Sequence, residues 1–110
     1  MRIETELMRG AGPVAVMRLL DRGEKYGYEL VQLLDKKSDG VLAMGQSTLY
    51  PLLYNLQAKG LIAARSETAQ NGRPRKYYRL TEKGKRQLSR DRKQWEALSV
   101  AMGNLGVIGA

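Results

Sequence analysis

The sequence predicts a mainly helical α+β fold: three short helices, a β-hairpin, then one long final helix. Three observations carry this. Apolar residues recur at helical spacing as far as Leu56, alternate with polar ones between Leu61 and Leu80, and return to helical spacing after Thr81. Asn71–Gly72, the strongest hairpin signal in the chain, falls inside the alternating stretch. Basic charge is gathered in one third of the chain.

The first helix is expected from Pro13, which suits a first helical position, with Gly12 ahead of it and Gly23 ending it. Val16, Leu19 and Leu20 form its apolar face, and Leu7 and Met8 can add a turn ahead of Gly10. The second runs through "YGYELVQLLDKK", with Leu30, Val31, Leu33 and Leu34 for the core. It fails at "SDG", where Gly40 can take the left-handed position.

The third helix is "STLYPLLYNLQAKGLI", Ser47 to Ile62. Leu49, Leu52, Leu53 and Leu56 make one apolar stripe, and the opposite face collects Ser47, Tyr50, Pro51, Tyr54, Asn55 and Ala58. That face has no carboxylate, and the stretch carries one formal charge, Lys59. With Gln46 or Ser47 as cap, Pro51 ends the first turn and forfeits at most one helical hydrogen bond. Its ring either meets a partner as a rigid apolar bump or only fixes the helix's entry angle.

"LIAARSET" and "RKYYRLT" read as the two strands of the hairpin. On the second, Lys76, Tyr78 and Leu80 face one way and Arg75, Tyr77 and Arg79 the other. Thr81 is a good N-cap and Glu82 suits the positive end of the last helix. That helix carries a heptad-like seam of Leu88, Trp95, Leu98, Met102 and Leu105, interrupted by Asp91. The glycine-rich tail "GNLGVIGA" is expected to fray.

Composition removes several classes of function. The 110 residues are one domain's worth and contain no cysteine or histidine. Disulfides, thiolate metal sites and the commonest catalytic base and metal ligand are therefore excluded. No acidic pair, metal-ligand cluster or phosphate-cradling loop stands out, so neither a catalytic site, a metal nor a cofactor is expected. The start "MRIETELMRG" has no apolar signal region and no apolar run is long enough to cross a bilayer, which implies a cytoplasmic chain with no membrane partner. The net charge of +8 is uneven: residues 1–58 sum to zero, 59–93 to +9 and 94–110 to −1. Such concentration points to a polyanion.

Three helices followed by a hairpin describe a winged helix-turn-helix, whose second motif helix enters the major groove. An uncharged face of hydroxyls, amides and phenols can read base edges there, where carboxylates would be repelled by phosphate. The DNA-binding face of the third helix is then Ser47, Thr48, Tyr50, Pro51, Tyr54 and Asn55, although Tyr50 and Tyr54 can equally be half-buried packing residues. Arg73 and Arg75 flank Pro74 just after a glycine turn, so they are expected to project from the wing tip toward a minor groove. Lys76, Arg79, Lys83 and Lys85 suit phosphates.

"YGYEL", "STLYPLLYNLQAKGLI" and "GRPRKYYRLTEKGK" together resemble the PadR family of bacterial transcriptional regulators, over about residues 13–86. The resemblance implies a dimeric DNA-binding regulator, usually a repressor and often released by a small molecule. It implies third-helix contacts from Ser47, Thr48, Tyr50 and Pro51, wing contacts from Arg73, Pro74, Arg75 and Lys76, and homodimerisation through the single C-terminal helix. The expected division is a winged helix-turn-helix over 1–81 and a dimerisation helix with tail over 82–110.

A second argument for a homodimer is that the seam lies after the compact part of the fold, which has little surface left to cover it. A two-fold dimer reads an inverted repeat with half-sites one turn apart. Trp95 is the chain's only tryptophan. Two copies near the dimer axis can form a slot for a planar aromatic ligand, or simply anchor the interface. The competing functional classes are a winged helix that binds protein or RNA, and sequence-independent DNA binding.

Overall fold

The computed structural model describes residues 1–109. Seven elements follow in order: α1 Thr5–Asp21, β1 Lys25–Tyr26, α2 Gly27–Lys37, α3 Gln46–Ala58, β2 Ile62–Thr68, β3 Pro74–Leu80 and α4 Glu82–Asn104. This is the expected winged helix, with one strand more than the sequence showed. β1 pairs antiparallel with β3, Lys25 opposite Tyr78 and Tyr26 opposite Tyr77, so the sheet order is β1-β3-β2. Two residues leave no period to detect, and β1 exists only because β3 offers it an edge.

The first helix starts earlier than expected. α1 runs unbroken through Gly10, Gly12 and Pro13, so Pro13 is an interior proline and not the first helical residue. Met8, buried at 4% exposure, anchors the turns ahead of the proline on the core. Gly12 is there for closeness: a Cβ would lie 3.0 Å from Leu52 Cδ1 on α3. Within α2 only Leu30 and Leu34 of the expected core are fully buried, Val31 and Leu33 being half-buried. The chain turns left-handed at Asp39 (φ 56°) before Gly40 (φ 83°).

The stripe of α3 packs as read, with Leu49, Leu53 and Leu56 buried and Leu52 half-buried. The cap is Gly45, which places Pro51 in the second turn of α3. β2 and β3 are joined by a five-residue loop, Ala69 to Arg73, closed by Ala69 N–H donating to Arg73 O at 2.8 Å. Gly72 takes φ 81° there. One core, including Met17, Leu30, Leu53, Ile62, Tyr78 and Leu88, is shared by all four helices and the sheet.

α4 is tied to that core at its start. Thr81 Oγ1 accepts from Gly84 N–H at 3.0 Å and donates to Gly60 O at 2.7 Å. Its 23 residues span about 35 Å at 1.5 Å each, and from Trp95 on its side chains are mostly exposed. The radius of gyration is accordingly 15.2 Å, against about 13 Å for a compact chain of this length. The tail does not fray within the described residues: Gly106 (φ 81°) ends α4, and Gly106 and Val107 N–H donate to Gly103 and Met102 carbonyls at 3.0 and 2.9 Å.

Candidate nucleic-acid interface

α3 presents the face that the sequence assigned to it. Ser47, Thr48, Tyr50, Pro51, Tyr54 and Asn55 are all exposed. Among the described residues, none of the polar side chains of Ser47, Thr48, Tyr54 and Asn55 holds a hydrogen bond. Their donors and acceptors are free for a partner. Tyr50 differs. Its hydroxyl turns back onto the start of α2, where a Cβ on Gly27 would lie 2.6 Å from it. The phenol of Tyr78 is pushed up by burial first and by the charge of Tyr50 second. The packing alternative therefore describes the hydroxyl of Tyr50, while Tyr54 is 73% exposed.

The wing separates into a free tip and an occupied root. Arg73 and Pro74 are exposed at the tip, and Arg73 N–H donates to Asn71 Oδ1 at 3.1 Å. Arg75 does not project with them. It lies half-buried on β3 with its guanidinium 4.2 Å over the Tyr26 ring. Tyr26 meets Tyr77 edge-on at 5.7 Å, and Arg65 covers Tyr77 at 4.8 Å. Arg65 then donates to Glu24 Oε2 at 2.9 Å and to Glu67 Oε2 at 3.1 Å. The result is a continuous stack, Arg75–Tyr26–Tyr77–Arg65, closed by two carboxylates. The Arg65 hydrogen bond holds the Glu24 carboxyl below its ordinary value of 4.5, with desolvation opposing it.

Sequence reasoning missed this stack because it joins β1, the turn before it and both hairpin strands. Alternation along β3 placed Arg75 and Tyr77 on one face, which was the available signal. Lys76 and Arg79 are exposed. Lys83 is partly engaged, its Nζ donating to Lys59 O at 2.8 Å across the end of α3.

The other flank of α3 borders a groove of about 370 Å³ against the start of α1. Met8, Pro13, Leu52 and Leu56 line its floor, with Arg2, Arg9, Thr48, Asn55 and Lys59 around them. Arg2 and Arg9 were passed over in the sequence, because residues 1–58 sum to zero charge.

The seam on α4 divides. Leu88 is 4% exposed and belongs to the chain's own core, so the seam does not extend to it. Trp95 borders two adjoining clefts with Val14 of α1. Leu98 and Leu105 are exposed, and Met102 is half-buried beside the tail that bonds its carbonyl.

A helix with a free, uncharged reading face beside a basic hairpin defines the class of winged-helix regulators. The comparisons narrow it. The family described as "Transcriptional regulator PadR-like family" matches residues 16–90, and the chain belongs to that family, one of regulators and not of enzymes. "Transcriptional regulator Rv3488" of Mycobacterium tuberculosis is 32% identical over 94 residues, covering 86% of this chain and 84% of that protein. A PadR family transcriptional regulator from Eggerthella lenta superposes with TM-score 0.79 at 38% identity, covering 91% of this chain and 85% of that one. Bacillus subtilis PadR, solved in complex with operator DNA, superposes with TM-score 0.68 at 29% identity, over 74% of this chain and 46% of that one. Among the described residues no helix is long and apolar enough to cross a membrane.

Proposed function

We propose that this chain is a sequence-specific DNA-binding regulator, a repressor that reads an inverted repeat as a homodimer. The observation that carries the reading is the unpartnered, uncharged face of α3 beside a hairpin whose cations Arg73, Lys76 and Arg79 are exposed. The operator complex of Bacillus subtilis PadR supports it. α3 supplies base contacts from Ser47, Thr48, Pro51, Tyr54 and Asn55, with the ring of Tyr50 at their edge. Arg73, Pro74, Lys76 and Arg79 meet the adjacent backbone and minor groove. Arg75 acts from the wing root, stacked on Tyr26.

The exposed Leu98, Leu105 and Val107 of the far half of α4 and its tail support pairing with a second copy, which sets the two α3 helices for half-sites about 34–36 Å apart. A dimer seated on a promoter excludes polymerase. Trp95, 38% exposed, supports a slot for a planar aromatic effector that shifts the dimer away from its DNA-bound geometry.

The test is a titration of the protein against the duplex upstream of its own coding sequence and a scrambled duplex of equal length, at low and physiological salt. A regulator of this kind holds the upstream duplex at physiological salt while the scrambled one dissociates. Equal loss of both duplexes contradicts specific reading of that site. Insensitivity of any binding to salt contradicts a nucleic-acid interface built on this wing.

A further inference from the structure

The two flanks of α3 are chemically different, and only one of them leads to the wing. At about 100° per residue, Thr48, Asn55 and Lys59 lie roughly 140–180° around α3 from Tyr50. The Tyr50 flank turns to the start of α2 and the adjoining edge of the sheet, because Tyr50 packs on Gly27, the residue after β1. The Thr48–Asn55–Lys59 flank turns to the start of α1 across the groove that Arg2 and Arg9 also line. The lining of that groove holds three cations and no acid.

A helix in the major groove has a phosphate strand on each side of it, about 12 Å apart. The wing and sheet account for one side. Resting on the DNA-binding reading above, we propose that Arg9 and Lys59, with Arg2, form a second phosphate clamp that grips the opposite strand. Arg9 is 73% exposed at its side chain and is held only by Glu6 at 3.4 Å, an exposed i,i+3 pair worth little. It can exchange that carboxylate for a phosphate at small cost. Lys59 caps α3, and its side chain makes no hydrogen bond among the described residues. Arg2 is already committed, its Nε donating to Ala43 O and its Nη1 to Ile3 O, so it holds the N-terminal segment in place against the groove. Glu4 and Glu6 share that segment but do not line the groove. Thr48 and Asn55 are the reading-face residues that border the clamp's groove, so the clamp fixes the depth and register of α3.

The experiment uses Arg9→Gln and Lys59→Gln in the full chain, both at exposed side chains, beside Arg73→Ala at the wing. Binding to the preferred duplex and to a scrambled one is measured across a salt series. Each variant removes one phosphate contact per chain and two per dimer, so it is expected to lower the steepness of log K against log salt by about 1.8 and to weaken both duplexes by the same factor. Phosphate-ethylation interference then places the loss. Arg9→Gln should relieve interference at phosphates on the strand opposite those relieved by Arg73→Ala. An unchanged salt slope in both glutamine variants overturns the clamp, as does relief at the same phosphates as the wing variant. If the unaltered chain binds no DNA at all, the reading of function fails, a result distinct from either of these.

Discussion

The two halves of α4 carry parts of one heptad-like seam and have opposite surroundings. In the first half Gly84 and Leu88 are buried, and Thr81 binds Gly60 and Gly84. In the second half Trp95, Leu98, Val100 and Leu105 are exposed. One half is part of the domain's core and the other leaves its large apolar side chains exposed. A period in a sequence says which residues share a face, but not whose atoms will cover it.

The largest effect tests the buried half at its tightest point. A Cβ on Gly84 would sit 2.0 Å from the Leu61 carbonyl oxygen, itself the acceptor for Thr81 N–H. Backbone cannot yield as a side chain does, so Gly84→Ala should cost on the order of 3–5 kcal/mol, enough to unfold a marginal domain. Gly103 meets nothing within 4 Å in the other half. Gly103→Ala should therefore stabilise the helix by about 0.5–1 kcal/mol. Urea titrations followed by circular dichroism read both signs, and equal effects would erase the distinction between the halves.

Leu88→Ala comes next, with an expected loss of about 2–5 kcal/mol from the cavity it leaves. Because Leu88 is covered by its own chain, this loss should not vary with protein concentration. Leu98→Glu with Leu105→Glu should do the reverse. The monomer keeps its fold, while sedimentation or light scattering at micromolar concentration shows the mass of one chain. If the double variant still migrates as a dimer, another face holds the copies together.

Much of this architecture is legible in the sequence. The stripe of α3 was fixed by four leucines with no competing pattern, and the change of period at Leu61 announced the hairpin. What stayed hidden depended on partners distant in sequence. β1 needs the edge of β3, and Glu24 binds Arg65 across 41 positions. Arg75 looked like a tip residue because Pro74 precedes it, and only the Tyr26 ring shows why it folds back. Leu88 joined the seam by spacing alone, since its burial by α1 is a tertiary fact.

The smallest expected effect lies at the wing root and gives a baseline for both halves of α4. Arg65 binds Glu24 and lowers its carboxyl below the ordinary 4.5, so the folded state binds that proton less readily than the unfolded chain. The pair's contribution is then complete above 4.5 and is lost as pH falls through the lowered folded value. Glu24→Gln should be slightly less stable than the unaltered protein at neutral pH and match it once pH has fallen below that value. Both groups are exposed and screened, so the gap should be small and should shrink further in high salt. Because this stack also carries Arg75, the same variant should weaken DNA binding by loosening the wing, even though it removes a negative charge. Tighter binding to every duplex would mean that Glu24 acts only as a repulsive charge and that the stack does not position the wing.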